Sequence, residues 1–328
     1  MKKIVLIFLL FLLIIAGCSN SEGEADSSNG EENVLAGETI QMIVPHAAGG
    51  GSDVVARSIA AEAAENLDAS IGVVNTPGGG GAVGMAEGAA APADGLNLTF
   101  GTIELTMLPH LDLADVTYED FEPVAQVNFD PAAITVPADA PYDTVEEFIE
   151  YAKNNPGEIR VGGSGFGAIW HLASETFALE NDIELDFVPF DGAAPSITAL
   201  LGGHIEAVTA SPGEVLEQVE AGELKTLAVM SDERSDAMPD VPTLEEEGVE
   251  PVNTGLWRGV MVPKDTPDEV IEELQEAFLE AAESEEYEEF MSNNGFGISV
   301  KDADGFREDM ENDHESFEEI INEAGLNE

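Results

Sequence analysis

Three short stretches put glycine-rich backbone where a strand-like run gives way to a helix-like one. They are Pro45 to Asp53 (PHAAGGGSD), Gly162 to His171 (GGSGFGAIWH) and Pro77 to Gly84 (PGGGGAVG). The chemistry open to such loops is anion capture. The first turn of a helix leaves N–H groups unpaired at the positive end of its dipole, and glycine lets a small anion approach that backbone closely. In an open α/β sheet, ligands bind beyond the carboxyl ends of the strands. Two such loops facing each other would therefore grip a carboxylate without any cationic side chain. Neither nucleotide signature is present: there is no GKS or GKT, and residues 45–53 lack the G-x-G-x-x-G spacing. A single glycine-rich turn is more often only a tight turn, so the pair carries more weight than either member.

Catalytic groupings are weaker. His46, His110, His171, His204 and His314 have no zinc-motif spacing, and the chain's single cysteine, Cys18, sits near its start. No metal or cofactor is expected. Ser164 lies in G-S-G-F-G rather than in the G-x-S-x-G elbow of serine hydrolases, which leaves an exported hydrolase as the distant alternative and the chain as a non-enzyme. Carboxylates are so abundant that close pairs arise by chance. His171 reads as a donor that packs its loop or faces ligand. Arg57 follows Asp53 by four residues, the spacing of a helix-surface ion pair.

The compartment follows from the first residues. Lys2 and Lys3 precede an apolar run from Ile4 to Ala16, then Gly17 and Cys18. That run is too short for a bilayer core, which needs about 20 residues, and it has the form of a secretory signal. Ile15-Ala16-Gly17-Cys18 resembles a lipobox, so the expectation is a signal peptide over 1–17, a lipid on Cys18 and a flexible acidic linker over 18–37. With 67 acidic residues against 11 basic and a net charge of −56, the folded state repels itself in dilute buffer. Molar salt shrinks the Debye length to about 3 Å and removes most of that repulsion. The simplest source is a halophile whose protein faces brine. Nucleic acid is excluded as a partner.

The elements that must position the loops alternate between strand and helix, which predicts an α/β fold with largely parallel sheets. Ile40–Val44, Ile71–Val74, Leu96–Phe100 and Ile159–Val161 read as strands. Val55, Ile59, Ala63 and Leu67 recur at helical spacing, as do Val270, Leu274 and Phe278, and Phe306, Met310, Phe317, Ile320 and Ile321. Thr144/Glu147, Ser211/Glu214, Thr243/Glu246 and Thr266/Glu269 have capping-box spacing, with Pro212 and Pro267 expected at the first helical position.

The order of the segments IVPHAAGGGSDVVAR (43–57), VVNTPGGGGAVG (73–84), PADGLNLTFGT (92–102), VGGSGFGAIWHLASETF (161–177), VPFDGAAPSITALLGGHIEAV (188–208), SPGEVLEQVEAGELKTLAV (211–229), MPDVPTLEEEG (238–248) and GLWRGVMVPKDTP (255–267) resembles the Bug-type family, the solute-binding components of tripartite tricarboxylate transporters. The resemblance implies a two-domain fold like a type II periplasmic binding protein, with residues 38–135 plus 256–328 in one domain, 136–255 in the other, and ligand in the cleft between them. It implies that Ala48, Gly49, Gly50 and Gly51 hold one carboxyl through backbone N–H groups, partly through water, while Ser164, Gly165, Phe166 and Gly167 face it. Ser52 or Asp53, Thr102 and Ser211 would orient the rest, with His171 facing ligand or packing its loop, and Arg258 would take a second carboxyl or support the hinge. Trp257-Arg258-Gly259 looks like the tricarboxylate-binding branch. Two positions depart from the family: His46 stands where an aromatic residue is usual, and Asp191 where a lysine is common. The implied partners are a small carboxylate, the integral membrane subunits of a transporter and the membrane reached by the lipid anchor, with the protein a monomer. The alternative output is docking on a sensor kinase.

Overall fold

The computed structural model describes residues 33–190 and 192–326. The expected leader, the cysteine at position 18 and Asp191 lie outside the described residues. The expected linker reaches residue 37, but its end is held down: Leu35 is buried, and the N–H groups of Val34 and Leu35 donate to Glu273.

The first half of the fold runs β1 (Thr39–Val44), α1 (Gly51–Asn66), β2 (Ser70–Asn75), α2 (Ala82–Ala89), β3 (Asn97–Thr102) and α3 (Glu104–Met107). Then β4 (Phe121–Pro137) leads into α4 (Val145–Asn154), β5 (Arg160–Ser164), α5 (Ile169–Glu180), β6 (Asp186–Phe190), α6 (Ala193–Leu201), β7 (Ala207–Ala210), α7 (Pro212–Glu220) and β8 (Leu224–Met230). The chain returns through β9 (Gly255–Pro263) to α8 (Asp268–Ala282), α9 (Glu285–Asn293), β10 (Ile298–Lys301) and α10 (Ala303–Ala324).

The strands join in the order β2-β1-β3-β9-β4-β7-β5-β6, with β8 and β10 also pairing β4. The flanks are parallel, as expected: β1 with β2 and β3, and β5 with β6 and β7. The centre is antiparallel, and this was not expected. β4 pairs β9 along its first part and β7 and β8 along its last. A strand that carries the chain out of one half and a strand that carries it back run in opposite directions, so the crossover cannot be parallel.

Each half has its own apolar core. One is built around Ile40, Val55, Phe100, Leu274 and Phe278; the other contains Phe148, Trp170, Phe177 and Leu200 and extends to Phe306 and Met310 of α10. Each such side chain contributes about 1.5–3 kcal/mol on burial.

Local capping signals are realised unevenly. Thr144 accepts from the Glu147 N–H, and Pro212 opens α7 as expected. Thr243 and Glu246 bond reciprocally, yet the chain there forms only a turn. Thr266 donates to the Pro263 carbonyl instead of capping α8, and Pro267 becomes the N-cap rather than the first helical residue. Among the described residues, no helix is long and apolar enough to cross a membrane, and no group of His, Cys, Asp and Glu could hold a metal ion.

Candidate functional site

Parallel pairing of β1 with β3 puts their carboxyl ends, and the loops that follow, at one edge of the sheet. The first loop runs from Pro45 to the N-cap Gly50, where α1 begins. Asp53 fastens it. Its carboxylate accepts the Gly49 N–H at 2.8 Å, Asn75 Nδ2 at 2.9 Å and Arg57 Nη2 at 2.8 Å, so the i, i+4 reading of Arg57 holds. Burial opposes ionisation of Asp53, but the donors from Arg57, Gly49 and Asn75 outweigh it and hold the carboxyl below its usual range. Asn75 also donates to the His46 carbonyl. Asp53 thus ties the loop through side-chain oxygens that are already satisfied. Among the described residues, the N–H groups of Ala48, Gly51, Ser52 and Asp53 have no protein acceptor, as helix ends require.

The second loop follows β5. Gly165 donates to the Phe190 carbonyl, and Gly167 donates to His171 Nδ1 at 3.0 Å. His171 is 1% exposed, packed at a tilt between the rings of Phe166 and Phe187, with Nε2 3.5 Å from Glu175. Since Nδ1 accepts, the ring proton sits on Nε2, and the imidazole props up its own loop from beneath. The N–H groups of Phe166, Ile169 and Trp170 have no protein acceptor among the described residues, and Ser164 Oγ is buried without a partner. Gly167 adopts φ +76°, and a Cβ there would lie 3.0 Å from Leu111 Cδ1. The segment after β3 therefore spans from one glycine loop to the other.

Arg258, on β9, lies beneath the first loop and is 2% exposed. Its Nε donates to Ser52 Oγ at 3.1 Å, and its Nη1 donates to Asn128 and pairs with Asp130 Oδ2 at 2.5 Å. Phe296 covers its guanidinium at 5.8 Å. This arginine is engaged with protein partners; it positions the first turn of α1 through Ser52. Asp130 and Asn128 in turn hold the Gly297 backbone. Ser211 gives both its N–H and its hydroxyl to Glu214 Oε2, at 3.0 and 3.1 Å. Burial raises the Glu214 carboxyl, while Ser211 and the nearby Arg258 pull it back down. Across the crossover, a Cβ on Gly213 would overlap the Gly295 carbonyl, so only glycine permits this approach between α7 and the end of α9.

Thr102 ends β3, and its Oγ1 lies 3.1 Å from His46 Nε2. Desolvation lowers the His46 pKa, and Arg258 adds to that effect against the pull of Glu104. The third glycine stretch serves as support: a Cβ on Gly84 would sit 2.7 Å from Pro45 Cα. A cavity of about 460 Å³ lies away from both loops, among Gln126, Phe129, Trp257, Lys301, Asp313 and Phe317.

The structure thus brings Ala48–Asp53, Thr102, Arg258 and Ser211 around one network, with Ser164–Gly167 and His171 reached through Leu111. The sequence reading missed Asn75, Glu104, Asn128, Asp130 and Glu214. Asp130 carried a signal: it is the one charged residue in the largely apolar strand run VAQVNFDPAAITV (124–136), which implies a buried partner.

Comparison with known proteins follows the same outline. A model of the family described as "Tripartite tricarboxylate transporter family receptor" matches residues 55–326. Protein BugT of Bordetella pertussis is 30% identical over 87% of this chain and 89% of its own. A TctC solute binding protein from Polaromonas is 39% identical with TM-score 0.76, covering 87% of this chain and 98% of that one. An R. palustris protein solved with adipate is 27% identical with TM-score 0.79, covering 88% and 97%.

Proposed function

The chain belongs to the tripartite tricarboxylate transporter receptor family, and from that premise we propose that it captures a small di- or tricarboxylate and delivers it to the membrane subunits of such a transporter. It is a solute-binding protein of an extracytoplasmic family and not an enzyme. The observation that carries the ligand class is the set of unpaired N–H groups at the starts of α1 and α5, on two loops linked by the segment from Thr102 to Leu111. Two helix N-termini without a free cation hold a small anion such as a carboxylate. The relative solved with adipate supports the choice, since adipate is a dicarboxylate.

The proposed assembly has two domains, 38–135 plus 256–328 and 136–255, which close on the ligand by motion of the β4 and β9 crossover. The ligand carboxyl contacts the backbone of residues 48–51 and 164–167. Ser52, Thr102 and Ser164 supply hydroxyls, and Arg258, Asp53, His171 and Ser211 hold the walls in place. Cys18 carries a lipid that keeps the protein at the outer face of the membrane. The 67 acidic residues against 11 basic fit a protein exposed to brine, so its unfolding midpoint should climb steeply between 0.1 and 3 M KCl. A midpoint that does not move with salt removes the halophile reading.

Ligand capture is tested by thermal unfolding in several molar KCl against a panel of di- and tricarboxylates. Saturable stabilisation of RT ln(1 + [L]/Kd) is expected for at least one of them. If no carboxylate raises the midpoint, the proposal fails.

A further inference from the structure

The first residue of α3, Glu104, has a use that neither the fold nor the carboxylate cradle explains. It is 8% exposed, its Oε2 is buried without a partner, and among the described residues neither of its carboxylate oxygens receives a hydrogen bond. Among the described residues, the basic group within ion-pair range of it is His46, whose Nε2 is 4.0 Å away. Desolvation lowers that ring's pKa, and its Nε2 already lies 3.1 Å from Thr102 Oγ1. A buried carboxylate requires donors, and the described residues supply none.

Its position says where a donor would come from. Glu104 follows directly on Thr102 and Ile103 at the carboxyl end of β3, in the segment that reaches His46 of the first loop at one end and Gly167 of the second, through Leu111, at the other. A second carboxyl of the ligand placed here would meet a like charge. A hydroxyl or an ammonium group would instead meet an acceptor made ready for it.

We infer that Glu104, with His46 and Thr102 beside it, forms a subsite that reads a hydrogen-bond donor, so that the carboxylate this chain takes carries a hydroxyl or ammonium substituent. The inference rests on the carboxylate-binding reading and narrows it. Sites built to bond a ligand O–H or N–H reject analogues that lack it far more strongly than apolar pockets reject a missing methylene.

The test is calorimetric titration of the full folded chain, in high salt, with matched sets: succinate, malate and aspartate, then tricarballylate and citrate. The substituted member should bind at least tenfold more tightly than the unsubstituted one of its set. Malate and citrate separate a hydroxyl reader from an ammonium reader, which would favour aspartate. In Glu104→Ala the preference should collapse while the unsubstituted acid binds as well as before or better. Glu104→Gln keeps the shape and an acceptor oxygen but loses the charge, so an ammonium ligand should suffer more than a hydroxyl one. Succinate and tricarballylate binding as tightly as their substituted partners in the wild type would overturn the inference and leave carboxylate binding intact. So would a preference that survives in Glu104→Ala, or an ammonium preference that is undiminished in Glu104→Gln. If no member of either set binds, the carboxylate reading falls and takes this one with it.

Discussion

Replacing Arg258 by methionine removes a buried cation while keeping most of its volume. Its partner Asp130 sits at 2.5 Å, both side chains are 3% exposed, and the guanidinium also donates to Asn128 and Ser52. Breaking such a pair from one side leaves Asp130 charged in a low-dielectric interior, with only the Gly297 N–H at 2.8 Å and Asn128 Nδ2 at 3.3 Å as donors. The cost expected is about 3–5 kcal/mol. At about 2 °C per kcal/mol for a chain of this size, the midpoint should fall by roughly 6–10 °C. Chemical denaturation gives the same quantity through the linear extrapolation. The double variant Arg258→Met/Asp130→Asn should recover more than half of the loss, because the uncompensated charge goes with it. Two results would refute the reasoning: a loss below 1 kcal/mol in the single variant, or no recovery in the double. The first would mean water reaches the pair; the second would mean the arginine acts through packing alone. Ligand affinity should also drop in the single variant, since Ser52 loses the bond that aims the first turn of α1.

Three further outcomes separate binding from stability. Ser164→Ala removes a buried hydroxyl that has no protein partner, so the unfolding midpoint should hold or rise slightly while carboxylate affinity drops about tenfold, the value of one hydrogen bond; equal losses in both would contradict this. Gly213→Ala drives a methyl into the Gly295 carbonyl, an overpacking worth about 1–3 kcal/mol, which calorimetry should record as weaker ligand binding if the contact belongs to the closed state. Burial raises Asp313 from 3.8 to about 6 against the Trp257 indole N–H, which donates to it at 2.7 Å. The folded state then holds a proton that the unfolded chain has released between about pH 4 and 6, so this group's contribution falls as pH rises through that window and stays lost above it. Asp313→Asn keeps an acceptor for the indole, and at pH 7.5 it should raise stability by up to about 3 kcal/mol and flatten the profile between pH 4 and 6; an unchanged profile would show that Asp313 titrates normally.

The sequence carried the flanking strands and the amphipathic helices because their signals are local. Ile40–Val44 and Val55 through Leu67 obey their periods and are buried as those periods demand. The antiparallel crossover was not local: β4 changes partners at about residue 132, from β9 to β7 and β8, and although Asp130-Pro131 interrupts the apolar run there, that pair does not say which strands take over. The glycine loops were readable as helix starts with unpaired backbone N–H groups, and the structure has them. Which of their side chains are free was not. From the sequence, Asp53 and Ser211 read as ligand contacts, and His171 and Arg258 as either contacts or supports; in the structure each is engaged with a partner distant in sequence or folded back on its own loop. Thr243 and Glu246 make the same point for capping, since their reciprocal bonds form and no helix follows.

The central claim is that backbone donors, rather than basic side chains, hold the ligand. A crystal structure of the chain with its tightest-binding carboxylate tests it most directly. The account predicts one carboxyl group within about 3 Å of N–H groups from residues 48–53 on one side and 164–170 on the other, directly or through one water, with the Arg258–Asp130 pair intact. A carboxylate seated on Arg258 with that pair broken, or bound in the cavity beside Trp257 and Lys301, would contradict it.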